Sequence, residues 1–280
     1  MARMLMSSVV MMALLTAAPA PAPKASPLTW KVTGTDVTFE MSSKDLRALR
    51  DGKEVFGLQS RKKGFLANLV GDPEDTQDPP EGAPDTSDWE AAQSYTVLSV
   101  VGPWVSYEDN SGGFTGGALY AIRIYVTEDV TKDKDRGAFN LLDVFPEKDV
   151  LKALKADEFV KQHVRDEAAF KKARTVEALL AILVPGDDCV GFQIDNVKRS
   201  VAFHHVEGNK VAVRIAFGYE RPVCRGKMFE VGVLLPIPES LRPALERART
   251  RQEGFLMKDA KAVKAPAVHF EWEGSKQKKP

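Results

Sequence analysis

The sequence predicts an α+β protein, with twisted antiparallel sheets and about three helices packed on one face. Three observations carry that reading. Runs that alternate apolar and polar residues at period two recur between residues 28 and 126 and again between 200 and 235. The stretch from Pro146 to Val184 instead carries apolar residues at helical spacing behind good capping residues. Finally, the 280 residues are 44% hydrophobic and 28% charged, an ordinary globular balance that excludes wholesale disorder and a multi-span membrane protein.

The first 25 residues read as an address. Arg3 gives a positive start, Met4 to Leu15 is uncharged, and Thr16 to Ala25 is small and Pro-rich. That layout is a secretory signal peptide, and the apolar run is too short to cross a bilayer of roughly 30 Å. Cleavage is expected between residues 17 and 26, which leaves no membrane span and places the protein in the periplasm or outside the cell. Formal charge balances at 39 bases and 39 acids, and removing Arg3 and Lys24 leaves 37 against 39. A dedicated nucleic-acid binder would show a basic excess.

Residues 26–136 read as a β-rich domain. Leu28 to Lys31 and Val37 to Glu40 alternate around Thr33-Gly34-Thr35, a strand-turn-strand signal. Ser43 to Arg50 reads as a helical or irregular connection ending at the turn Asp51-Gly52. From Asp72 to Glu90 there are eight acids, four prolines and no base, so this segment is expected to be a mobile surface loop. Tyr95 to Val101 and Trp104 to Glu108 are strands flanking Gly102-Pro103. Asp109 to Gly117, with two Gly-Gly pairs, reads as a long Gly-rich turn before the strand Ala118 to Val126.

Residues 137–241 read as an α+β domain. Pro146 suits a helix's first turn, and Val150, Leu151 and Leu154 form one apolar stripe. Asp157 can cap a second helix and Thr175 a third, the last carrying Leu179, Leu180, Ile182 and Leu183 up to Pro185-Gly186. Val190 to Ile194 reads as a strand, Ser200 to Gly218 as a hairpin over Glu207 to Lys210, and Phe229 to Leu235 as the final strand. Residues 242–280 are basic with isolated aromatics at Phe270 and Trp272, and read as a loosely docked tail.

Motifs that carry chemistry are few. The sequence holds no nucleophile elbow, zinc-protease helix, phosphate loop or dinucleotide fingerprint, so no cofactor is implied. Cys189 and Cys224 in an exported chain are expected to form a disulfide. His204 and His205 are neighbours on a strand and should point to opposite faces, one packed and one solvated, so they are not expected to share a metal ion. Asp133-x-Asp135-x-Gly137 lacks the ligands of a calcium loop. The strongest candidate for binding is the Gly-rich turn. Tyr107 and Phe114 would supply rings to anchor a partner, and Gly116 and Gly117 a backbone that approaches closely.

The segments Leu98 to Glu108, Gly112 to Ala118 and Asn140 to Phe145, followed by the closing pattern of Val201 to Leu241, carry a family resemblance. Together they are similar to bacterial extracytoplasmic domains of unknown function. These are shared by the lysozyme-sensing anti-sigma factor and some cell-wall polysaccharide deacetylases, where they form the non-catalytic part. The chain departs from the family at Leu119, where a His is common, and it has no deacetylase metal motif. The resemblance implies an exported binding module with a protein or cell-wall ligand. The rival class is a hydrolase of cell-wall or extracellular polysaccharide acting through paired carboxylates. An open sheet face would favour the first class, and a deep cleft with two nearby acids the second.

Overall fold

A computed structural model describes residues 28–61, 64–65, 88–117, 119–132, 137–186 and 189–274. The signal segment, the acidic stretch 72–87 and the Asp133/Asp135 pair lie outside them. Mixed helices and antiparallel sheets make the protein α+β, with three sheets and more, shorter helices than the three expected.

Strands β1 (Leu28–Lys31), β2 (Val37–Met41), β3 (Leu46–Arg50) and β4 (Lys53–Gly57) form a four-stranded meander. Val37, Phe39 and Met41 alternate inward along β2 as their period-two spacing requires. The connection expected over Ser43 to Arg50 is largely strand β3. Asp51 and Gly52, both at positive φ, close a tight hairpin to β4, and a turn of that hand commits its flanks to pair.

The second sheet contains β5 (Glu90–Val101), β6 (Trp104–Phe114) and β7 (Tyr120–Asp129), joined across β5 by β11 (Gly254–Phe255) and β12 (Ala267–Glu273). The long Gly-rich turn expected from Asp109 does not exist in that form: β6 continues through Asp109 to Phe114. A side chain at Gly113 would place its Cβ 2.1 Å from the Glu90 carbonyl oxygen, so the glycine serves close strand approach inside the sheet. Only residues 115–117 and Leu119 are left, among those described, to connect β6 to β7.

The third sheet runs β10 (Phe229–Pro236), β9 (Lys210–Phe217), β8 (Val201–Glu207). Where three helices were expected, four short ones follow one another. They are α2 (Glu147–Ala156), α3 (Glu158–Gln162), α4 (Glu167–Lys172) and α5 (Val176–Leu180), preceded by α1 (Leu141–Val144). Four of these five starts are set by side-chain caps: Asn140, Asp157, Asp166 and Thr175 each accept from a backbone N–H in the first turn, whereas α2 starts behind Pro146 without one. Helix α5 stops at Leu180, well short of Pro185, because Leu183 leaves it to bridge Val164. The strand expected over Val190 to Ile194 is a single bridge, Val190 to Tyr219, and Ile194 opens helix α6 (Ile194–Arg199).

Two main cores result. One lies between the helices and the third sheet, around Phe145, Leu154, Leu179, Phe203, Ile215 and Leu235. The other lies between the first sheet and the second, around Phe39, Leu46, Tyr107 and Phe255. Leu98, Tyr125, Ala202 and Ala216 fill the contact between the second and third sheets. Cys189 and Cys224 are bonded, with their Cα atoms 6.1 Å apart. Closing a loop of 35 residues stabilises the fold by about 4 kcal/mol in the chain-entropy account.

The C-terminal segment is not a loosely docked tail. Helix α7 (Arg242–Arg249) buries Leu245 and Ala248 in the helix-side core, and β12 buries Val268 and Phe270 in the other. Glu253 accepts from the backbone N–H and the hydroxyl of Thr33 and pairs with Arg247 at 3.0 Å, tying the segment to the β1–β2 turn. Val268, Phe270 and Trp272 alternate with His269, Glu271 and Glu273, which is a strand pattern rather than a scatter of aromatics.

Candidate functional site

A cleft of about 480 Å3 opens where the first sheet meets the second. Strand β4 brings Glu54 and Phe56 to it, and the helical residues 58–61 that follow bring Ser60 and Arg61. Strand β5 supplies Gln93 and Tyr95, and the end of β7 with its turn supplies Glu128, Asp129 and Lys132. Beneath the floor lie Tyr107 and Asp109 of β6, which face the same way as Tyr95 because Tyr95 and Asp109 are cross-strand partners.

Arg61 is the centre of this arrangement. Its guanidinium carbon lies 4.9 Å from the Phe56 ring centroid, 4.8 Å from that of Tyr107 and 5.7 Å from that of Tyr95, a cation held among three rings. Nη2 donates to Glu128 Oε2 at 2.5 Å, and the Tyr107 hydroxyl donates to Glu128 Oε1 at 2.6 Å. Both carboxylate oxygens of Glu128 are therefore occupied. Arg61 Nε is buried without an acceptor, a donor still seeking one.

The remaining acids are engaged as well. Gln93 Nε2 donates to Asp109 Oδ1 at 2.6 Å. Asp129 Oδ1 accepts from the backbone and hydroxyl of Thr131, and Oδ2 lies 3.5 Å from Lys132 Nζ. Glu54 accepts from Ser60. Burial raises the Asp109 carboxyl above its ordinary range, against the Gln93 hydrogen bond and Arg61, which pull it down. Desolvation likewise pushes the Tyr95 phenol up to about 12 and Tyr107 well above its ordinary value, so both stay protonated, and Tyr107 donates to Glu128. The cleft is thus a polar, internally paired surface with an aromatic wall.

The residues expected from sequence are split by the fold. Tyr107 is 1% exposed, so it cannot be a surface anchor; it acts from below, on Glu128 and Arg61. Its burial follows from its place in the middle of β6, under the first sheet. Phe114 is half-buried at the far end of β6, opposite Glu90, and Gly117 is exposed with open space around it. Gly116 sits at φ +80°, where a Cβ would fall 2.8 Å from Trp89 Nε1, so this glycine seats an indole. The structure therefore groups Tyr107 with the cleft and leaves Phe114, Gly116 and Gly117 together at the other end of the same sheet.

The histidine pair also departs from expectation. A bulge between Phe203 and His205 breaks the alternation and turns both imidazoles to one side, with their Nδ1 atoms 2.7 Å apart. Desolvation first, then Arg214, His205 and Lys258, lowers the pKa of His204. Among the described residues, no group of three or more His, Cys, Asp or Glu side chains is placed to hold a metal ion. Nor is any helix among them long and apolar enough to cross a membrane.

Arg61, Gln93, Glu128 and Asp129 were not singled out by motif, since they come from separate stretches that only strand register brings together. No protein-family model matches this chain, and no curated protein matches it.

Proposed function

We propose that this chain is an exported, non-enzymatic binding protein of the bacterial envelope, whose ligand is a protein such as lysozyme or a cell-wall polymer. The observation that carries the reading is the state of the cleft's acids. Glu54, Glu128 and Asp129, and Asp109 beneath them, each already hold a hydrogen-bonding or charged partner within the chain. A glycosidase needs one carboxyl able to give a proton and a second able to attack or activate water, and of these four acids the one that burial raises, Asp109, lies beneath the cleft floor and not on its lining. A binding site needs what is present here, polar groups fixed in place and an aromatic wall. The signal-like start, the Cys189–Cys224 disulfide and the resemblance to extracytoplasmic domains support export and an envelope role.

The test is direct. The mature protein, whose N-terminus in the native host should fall between residues 18 and 26, is incubated with peptidoglycan sacculi and with lysozyme. Retention of either without release of reducing ends is expected. Release of reducing ends that Glu128→Gln abolishes would replace the binding reading with the hydrolase.

A further inference from the structure

An open sheet edge is a template for another strand, and folded proteins close their edges with charges, bulges, short strands or covering segments. Most edges here are closed in that way. Strand β12 carries exposed His269, Glu271 and Glu273, β4 and β8 are bulged against their neighbours, and β1 and β11 are short. Along β7 the groups facing away from β6 are taken up. Asp129 and Tyr125 donate their N–H groups to the Gly137 carbonyl and to Ser200 Oγ, and the Thr127 carbonyl accepts from Phe139. Strand β10 has none of these devices. It ends the third sheet, pairs with β9 without a break over eight residues, and carries no lysine.

The register shows which groups of β10 face the open side. Ala216 donates its N–H to the Ser200 carbonyl, so the alternate residues Val211, Val213, Ile215 and Phe217 turn their backbone groups toward β10. Their partners Leu235, Val233, Val231 and Phe229 close that ladder, and Ile237 extends it by donating to the Asn209 carbonyl. Glu230, Gly232 and Leu234 therefore aim their N–H and C=O groups away from β9, where they meet no hydrogen-bonding partner among the described residues. A groove of about 610 Å3 runs beside them, with Gly232, Leu234 and Pro236 on one side and Ala153, Ala156 and Phe159 on the other. Leu234 is 39% exposed, and Gly232, Pro236 and Ala156 are exposed as well, so the groove is open to solvent. An open row of donors and acceptors beside an apolar floor is complementary to an extended strand.

The charges at the two ends of the groove select a second copy of this chain. Phe159 stacks on Phe229 with ring centroids 6.2 Å apart, which puts Asp157 and Glu158 at the same end of β10 as Glu230. Lys210 is the cross-strand partner of Pro236 and marks the opposite end. Asp149 and Lys152, a turn apart on α2, line the groove between and offset each other. The edge is thus acidic where β10 begins and basic where it finishes, and the same edge laid antiparallel reverses that order.

We propose that β10 pairs with β10 of a second copy, antiparallel about Gly232, joining the third sheets of two chains into one. Glu230 then falls opposite Leu234 of the second copy rather than opposite another acid, and the outward N–H groups of both strands find carbonyls. The Lys210 end of each chain meets the Asp157, Glu158 and Glu230 end of the other. The contact is isologous, so two chains saturate it and it does not propagate into a fibre.

Sedimentation velocity of the mature, disulfide-bonded chain, from one to a few hundred micromolar, tests this. A reversible dimer is expected. Gly232→Pro removes an N–H that only the second copy uses, and Leu234→Lys puts a charge on the joint while leaving the backbone intact. Each should weaken the dimer tenfold or more, with the circular dichroism of the dilute protein unchanged. Lys210→Glu makes both ends acidic and should weaken it threefold or more at low salt. A chain that stays monomeric throughout overturns the proposal, as does a dimer indifferent to both edge variants. A dimer that Lys210→Glu leaves unchanged overturns the antiparallel arrangement. A monomer that takes up an alternating Val-Thr octapeptide at this edge replaces the second copy with a foreign strand.

Discussion

Glu128→Gln keeps the shape of the Arg61 cluster and removes only its negative charge. The side chains of Arg61 and Glu128 are 19% and 21% exposed, so the pair is about four-fifths withdrawn from water. Removing one partner of a fully buried pair costs about 3–5 kcal/mol, because the other is left as an uncompensated buried charge. For an exposed pair the figure is about 0–1 kcal/mol. The Phe56 and Tyr107 rings stay in place around the guanidinium and recover part of the loss, at about 0.5–2 kcal/mol for a cation over a ring. The expected cost of Glu128→Gln is therefore about 2–3 kcal/mol. Arg61→Met should cost about the same, since it strands the carboxylate with a single phenol donor. The double variant carries neither charge, and its cost should fall at least about 1.5 kcal/mol below the sum of the singles. Urea unfolding of the oxidised protein, followed by circular dichroism and compared at equal m, reads all four forms. Additivity within about 0.5 kcal/mol would show that the two side chains do not depend on each other, and the account of the cleft built on their pairing would fall.

Two further outcomes follow from the same structure. A histidine whose pKa is lowered on folding contributes stability that is present above the unfolded value of 6.5 and lost as pH falls below it, so His204→Gln should flatten the decline in urea midpoint between pH 7 and pH 5; an unchanged slope would refute the role given to the imidazole pair. Phe270→Ala should cost about 3–5 kcal/mol as a core truncation, measured by thermal or urea unfolding, whereas a loss under about 1 kcal/mol would return the C-terminal segment to the status of a loose tail.

Much of the fold was legible in the sequence where the local pattern and the final environment agree. Val37, Phe39 and Met41 sit as their alternation says, and Asp157 and Thr175 cap as their side chains allow. The misreadings have distinct physical causes. Gly112 and Gly113 carry the signature of a turn, yet their lack of side chains is used for close strand contact. His204 and His205 obey the two-residue period only in a regular strand, and a bulge is set by cross-strand packing that no local window contains. The period of β12 was present in the residues, but its polar partners His269, Glu271 and Glu273 masked it as a polar tail. The cleft was least visible of all, because Arg61, Gln93, Tyr95 and Glu128 have no fixed spacing. Only the registers joining β5 to β6 and β6 to β7, and the closure of the first sheet over them, bring these side chains to one place.

The pairing of β12 with β5 sets the order in which the molecule can be completed. Strand β5 is made early, and until residues 254–273 arrive it has a neighbour on one side only. Through most of synthesis its open edge offers unpaired amides and carbonyls, and the core around Tyr95 lacks Val268 and Phe270. Distant pairing of this kind is slow to form, since a long loop must close before any contact rewards it. The second sheet thus keeps one open edge until residues 254–273 have been made. It also makes the final segment the checkpoint: a copy cut short by a few dozen residues would present a sticky sheet edge instead of a closed one.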